Sequence, residues 1–436
     1  ASMSSLSSLP LFSAQPTLGS APPVSPQTVT ITSDYTLSSD LDIAGSPGFK
    51  VIVRDGVAID IHLDADVTVT GDGGKVLGLV TTDSAYGGAA IDVTGTFTAT
   101  GAGQDAIVAA FNLRGLNDAL TTHSTVQATS DLGDAYGVYL TGGGADVNLF
   151  GGVQVTAAGQ ACGVFGDSGS VTTNHTSIQT TAQQASVCFL TTAGGAAEFD
   201  NLGLVSAHAV KGPLTPHGVT LVAAGVAMLG GVFSNTGVIQ ASAHGAAVGV
   251  ELISMTSAIN GFGGRITATA SGADAIAMGV LMGNGFGSSV AFVNQGLVRA
   301  DIAISAIGPA VDGHGGTALA RPDQVHNFGK IVGDIMLGKG DDVVINGDGA
   351  NTGLIKGDVD LGAQDDSFDS RHGLLIGAVS GGDGADTLMG GRGADHLNGD
   401  GAGALTGGAD VLMGFKGADV LDGGQGDDVL TGGFGA

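Results

Sequence analysis

Between residues 381 and 431 the chain writes one phrase again and again: "GGDGADTLM" at 381–389, "GGRGADHLN" at 390–398, "GFKGADVLD" at 414–422 and "GGQGDDVLT" at 423–431. Between them, "GDGAGALTGGADVLM" at 399–413 is a degenerate copy with six extra residues. Glycine at this density suits turns, because it alone reaches positive φ without steric cost. One apolar residue follows each Asp, for example Leu388 and Leu397. That is too little for a helix face, but it is enough for a strand of about three residues with one inward side chain. Each nonapeptide is therefore a turn plus a short strand, and such units bury apolar surface only by stacking.

A looser repeat occupies roughly residues 80–330. One half is an Asn-x-x-x-Ile/Val phrase: "NHTSI" from Asn174, "NLGLV" from Asn201, "NTGVI" from Asn235, "NQGLV" from Asn294 and "NFGKI" from Asn327. The other is a Gly-Val strand at Gly137, Gly163, Gly218, Gly249 and Gly279, with "ASVCFL" at Ser186 as a variant. Successive marks stand 26, 23, 32, 31 and 30 residues apart. That period, with two strand-like phrases per unit, fits coils of a parallel β-helix. The Asn residues either form an internal amide ladder or simply favour the turn. Pleating predicts that Val138 and Leu140, Val219 and Leu221, Val250 and Leu252, and Val280 and Met282 point inward. The same register puts Cys162 on the inward face and Cys188 outside, so the two do not pair.

From Gly329 the pattern tightens. "GKIVGDIMLGKGDDVVIN" from Gly329, "GLIKGDVDLGAQDDSFDS" from Gly353 and "GLLIGAVSGGDGADTLMG" from Gly373 align, making Asp342, Asp366 and Asp386 equivalent. The expected architecture is all-β: a right-handed parallel β-helix (β-solenoid) over 28–328, acidic transitional coils over 329–380 and a parallel β-roll over 381–436. A Ser/Pro-bearing arm, 1–27, precedes them.

Composition says what the turns are for. Net charge is −27, and of 41 acidic residues only Glu198 and Glu251 are glutamate. Aspartate is short and holds its carboxylate near backbone carbonyls, an all-oxygen setting that suits hard cations. So acidic a chain is a poor nucleic-acid partner. It contains no run of 18 apolar residues, so no membrane-spanning helix is expected.

These nonapeptides resemble the repeats of the RTX family of calcium-binding β-rolls. The resemblance covers about the last eighth of the chain strictly and a quarter loosely. It implies Ca²⁺ held by Asp386, Asp395, Asp410, Asp419 and Asp428, helped by Asp383 and Asp427. The carbonyls of Gly382, Gly384, Gly391, Gly393, Gly424 and Gly426 complete the set. Asp341, Asp342, Asp365 and Asp366 are further candidates. Arg392 and Lys416, in the third position of their turns, are expected to weaken binding there. The sequence reads as stopping in mid-repeat at "GGFGA", 432–436, so secretion by a type I route is implied by the resemblance alone.

For function, there is no H-E-x-x-H and no G-x-S-x-G elbow in a suitable context. A β-helix enzyme acting on an acidic polysaccharide, a lyase or epimerase, is the alternative, with His62 as its best acid/base residue. A secreted, calcium-dependent structural protein explains more of the sequence, and it resembles surface-layer and adhesin-like proteins of Gram-negative bacteria. Its expected partners are further copies of itself and cell-surface polysaccharide. The arm, with Leu6, Leu9, Leu11 and Phe12, is either a disordered tail or a strand added to a neighbouring molecule.

Overall fold

The computed structural model describes residues 28–44, 48–53, 58–82, 88–103, 106–191, 196–210, 222–283, 289–306, 321–401 and 407–435. The arm and the Val219 and Leu221 positions lie outside them. Every regular element among the described residues is a strand, so no helix is long and apolar enough to cross a membrane. The chain divides into two compact units, one within 10–232 and 238–246, the other within 233–237 and 247–436.

The first unit is a three-faced parallel β-helix. A representative coil takes the strands Ala119–Thr122, Val126–Ser130 and Asp134–Leu140; the next takes Asp146–Leu149, Val153–Ala157 and Gln160–Gly166. Each pairs in parallel with its counterpart one coil away, as Val126 with Val153 and Leu120 with Val147. β-branched and small residues alternate along these strands, so one side of each packs inward, a pattern that pleated backbone favours.

The face containing Asp134–Leu140 is buried on both sides. Its outer surface carries a second apolar cluster of Tyr136, Tyr139, Cys162, Phe165, Val187 and Leu190, which the repeat pattern did not foretell. Tyr139 and Phe165 stack at 4.7 Å.

This face corrects the expected register. Gly163 lies opposite Cys188, not Ser186, since Cys162 pairs with Val187 and Val164 with Phe189. The next equivalent is Gly225 of "AGVAM". The ladder skips a rung at this column, so strict alternation slips by one residue there. As a result Cys162 faces the outer cluster. Cys188 turns to the other side, where its Sγ donates to the Ile178 carbonyl at 3.4 Å. Both facings are opposite to those expected, yet the thiols are free. Glycine recurs in this column because a Cβ on Gly137 would strike the Val153 side chain and the Gly163 carbonyl. Val138, Leu140, Val250, Leu252, Val280 and Met282 are all buried as expected.

The Asn phrases form an amide ladder. In the first unit Asn174 Nδ2 donates to Asn201 Oδ1 at 2.7 Å. In the second, Asn235 donates to Asn260, Asn260 to Asn294, Asn294 to Asn327 and Asn327 to Asn346, at 2.7–2.9 Å. All are fully buried, where an unpaired amide is costly. The last rung is Asn346 to Ser370 Oγ at 3.0 Å.

Within the second unit the coil changes shape. One face ends where Leu354–Lys356 pairs with Leu374–Ile376. Beyond it only two ladders continue. One runs Ala378–Asp383, His396–Asn398 and Val420–Asp422. The other runs Thr387–Met389, Val411–Met413 and Val429–Thr431. Three-faced coils thus give way to a two-faced β-roll. Successive turns stand 24, 20, 24 and 18 residues apart. The last is the length of two nonapeptides, and the longer step before it contains the degenerate copy.

Candidate metal centre

The turns stack along two edges, and each turn directs one carboxylate inward, buried at Asp342, Asp366, Asp386, Asp395 and Asp410 and half-buried at Asp419 and Asp428. On the first edge the Asp342 N–H donates to Asp366 Oδ1 at 2.7 Å. Asp366 donates to Asp386 and Asp386 to Asp410, both at 2.8 Å, and Asp410 donates to Asp428 at 3.0 Å. On the second edge the Asp395 N–H donates to Asp419 Oδ1 at 3.0 Å. These seven aspartates thus stand in two columns, one on each edge. Asp341, Asp365 and Asp427, the first members of their Asp-Asp pairs, are exposed, and Asp383 is half-buried.

One oxygen per carboxylate is used in this way. The other, Oδ2, is buried without a hydrogen-bond partner in Asp342, Asp366, Asp386, Asp410 and Asp419. A buried carboxylate oxygen with no donor is costly. In the nonapeptides these oxygens face a specific place. A Cβ on Gly381 would strike Asp386 Oδ2 and the Gly399 carbonyl, and one on Gly399 would strike Asp410 Oδ2 and the Gly423 carbonyl. Asp395 Oδ2, which accepts the Gly391 N–H, has the equivalent position: a Cβ built on Gly390 would lie 2.6 Å from it and 3.0 Å from the Gly414 carbonyl. A carboxylate of one coil and a carbonyl of the next therefore converge beside Gly381, Gly390 and Gly399, whereas Gly414 and Gly423 meet the carboxylates of Asp419 and Asp428 alone. Beside Gly381 and Gly399 two acceptors face one point with no donor between them, which suits a hard cation.

Charge follows the same geometry. Burial, reinforced by Asp410, Asp365 and Asp400, lifts the Asp386 carboxyl to about 7 despite its backbone hydrogen bond. Burial raises Asp342 to about 7 and Asp366 to about 8, and it pushes Asp395 and Asp410 upward. Without a cation, part of this column carries protons at neutral pH. Among the described residues no three Asp, Glu, His or Cys side chains form a ready cage, so backbone carbonyls must supply much of any coordination shell.

The glycines singled out in sequence do a related but different job. Gly382, Gly384, Gly424 and Gly426 have positive φ of 119°, 135°, 85° and 131°. A Cβ on Gly382, Gly384 or Gly426 would strike a carbonyl of the neighbouring coil, those of Gly362, Gln364 and Gly408, and one on Gly424 would strike the Asp400 side chain. The Gly391 carbonyl accepts from Lys416 N–H at 3.0 Å, and a Cβ on Gly393 would meet Leu374 at 3.3 Å. Sequence reading missed the first-position glycines Gly381, Gly390, Gly399, Gly414 and Gly423. Their signal was present, because that position is Gly in all five copies whereas the second position admits Phe415. It also missed Asp400, buried in the degenerate copy. His62 lies on the outer side of Ile59–Leu63, with Nδ1 3.7 Å from Asp92; His123 Nε2 approaches the same carboxylate at 3.2 Å.

The RTX calcium-binding nonapeptide repeat matches residues 379–402 and 406–436, in four copies. The two-faced roll is therefore an RTX β-roll, a repeat that binds calcium ions. No curated protein and no solved structure matches the chain.

Proposed function

We propose that the chain is a secreted structural protein whose roll is ordered by calcium outside the cell and whose β-helix coils assemble with further copies. In the roll, Asp386, Asp395, Asp410, Asp419 and Asp428 supply carboxylates, with Asp383 and Asp427 as outer acids and turn carbonyls as neutral donors. Extracellular calcium modules bind at roughly 10⁻⁴–10⁻³ M, so such a roll stays loose in cytosol and folds after export.

The observation that carries assembly is one surface of the first unit. From Thr68 to Ser242, seven coils present two outward columns. One is Thr68, Thr98, Gln127, Gln154, Gln179, Ser206 and Gln240; the other is Thr70, Thr100, Thr129, Thr156, Thr181, His208 and Ser242. Neither column contains Asp, Glu, Lys or Arg, on a chain of net charge −27. Coils spaced about 4.8 Å apart make this a flat, uncharged, hydrogen-bonding surface on which copies can meet without repulsion.

Negative-stain microscopy in millimolar calcium should show filaments or sheets. Replacing Gln154 and Thr156 with Lys should disperse them while leaving the β spectrum intact. Monodisperse parent protein, or variants that assemble equally well, would remove this reading. Catalysis on an acidic polysaccharide is the second reading, favoured by the His62–Asp92–His123 group. Release of unsaturated or epimerised uronate, lost in His62→Ala, is its signature.

A further inference from the structure

We propose that Asp400, which no repeat position accounts for, adds a third buried carboxylate to the calcium-binding Asp386–Asp410 edge, and that this edge binds calcium more tightly than the Asp395–Asp419 edge. The inference rests on the calcium reading of the roll.

Asp400 opens the six-residue excess of the degenerate copy, so the nonapeptide pattern does not require an acid there. Its side chain is nonetheless only 8% exposed. Oδ2 accepts the Gln425 N–H at 2.5 Å and fills the space a Cβ on Gly424 would need. Oδ1 is buried with no partner. Ser380 Oγ donates to the Asp400 carbonyl at 3.2 Å, which holds the insertion against the preceding coil. Asp400 directly follows Gly399, whose carbonyl meets Asp386 Oδ2 beside Gly381 and whose own Cβ position would meet Asp410 Oδ2. Three buried carboxylates, each with an unsatisfied oxygen, thus line one stretch of the edge without closing into a single three-acid cage.

The other edge differs in the opposite sense. Asp395 Oδ2 already accepts the Gly391 N–H at 2.7 Å, and Arg392 and Lys416 stand in the turns. Calcium affinity in oxygen sites rises with the number of ligand charges, so the two edges should fill in sequence.

Calcium titration of the full chain by calorimetry tests this. The parent should show a tight and a weaker phase. Asp400→Asn, which keeps an acceptor for Gln425, should weaken the tight phase by about tenfold or more and leave the weaker one unchanged. Asp395→Asn with Asp419→Asn should remove the weaker phase. Asp422→Asn, at an exposed acid, controls for general charge and should change neither. If Asp400→Asn titrates like Asp422→Asn, the proposal is overturned. It is equally overturned if Asp400→Asn lowers the melting temperature as much in chelator as in calcium, since Asp400 would then serve only Gln425. A parent that takes up no calcium contradicts the roll reading itself.

Discussion

The three-faced coils of residues 330–369 and the two-faced coils of 379–431 use the same strands and corner aspartates, but they are stabilised differently. One three-faced coil buries Ile331, Ile335, Leu337 and Val344, and the next buries Ile355, Val359, Leu361 and Phe368. A roll coil buries only a pair, such as Val379 with Leu388 or Leu397 with Leu412. At about 1.5–3 kcal/mol per buried aliphatic side chain, the roll has roughly half the apolar stabilisation per coil. The amide ladder also stops, at Ser370, before the roll begins.

The exchange is visible at one position. The register sets Gly338 opposite Gly362 and Gly362 opposite Gly382. Leu337 and Leu361 therefore stand where the roll has Gly381. The leucines fill the interior; the glycine leaves a space where carboxylate and carbonyl converge. Asp342 and Asp366 keep an orphan oxygen but lack that space. We therefore expect calcium dependence to begin at Asp386 and to fade upstream.

The largest expected effect is loss of the roll's order. Asp386→Asn combined with Asp410→Asn should abolish calcium-induced protection of 379–431 from proteolysis, whereas Asp342→Asn with Asp366→Asn should leave it nearly intact. Equal damage from both pairs would erase the distinction between the two coil types. Next, Val250→Asp or Leu252→Asp puts an unpaired charge into a three-faced coil and should cost several kcal/mol. The fall in melting temperature should be the same in calcium and in chelator; unchanged melting would mean that the strand register is wrong. Asn294→Ala leaves Asn260 and Asn327 with broken rungs and should cost about 1–3 kcal/mol, again independent of calcium.

The smallest effect is that of pH. Asp342, Asp366 and Asp386 have raised carboxyls, at about 7, 8 and 7, so the folded chain binds protons that the unfolded chain releases above about 4. In chelator, stability should therefore fall as pH rises from about 4 to 8, and acidification should restore it. Calcium competes with the proton on Asp386, so its affinity should rise with pH through about 7. Denaturant melts at pH 5.5 and 8 distinguish the two trends.

The nonapeptides made the roll legible because each turn needs Gly and Asp at fixed places, and the β-helix was legible from its period. What stayed hidden depends on contacts between coils. Ser186 could be told from Cys188 as the partner of Gly163 only from the ladder, because corner loops change length and strand phrases do not count them. The outer cluster around Tyr136 and Phe165 was hidden because outward aromatic residues look like ordinary surface. Asn260 and Asn346 complete the amide ladder, yet neither opens the Asn-x-x-x-Ile/Val phrase that marked their neighbours. Asp400 escaped because an insertion has no period to read.

Hydrogen exchange of the full chain, with and without calcium, tests the central claim most directly. Amides of Thr387–Met389, His396–Asn398, Val411–Met413 and Val420–Asp422 should exchange freely in chelator and become strongly protected in millimolar calcium. Those of Gln324–Asn327, Val343–Asn346 and Val359–Ala363 should be protected in both. Roll amides protected without calcium, or three-faced coils that open with the roll, would contradict the account.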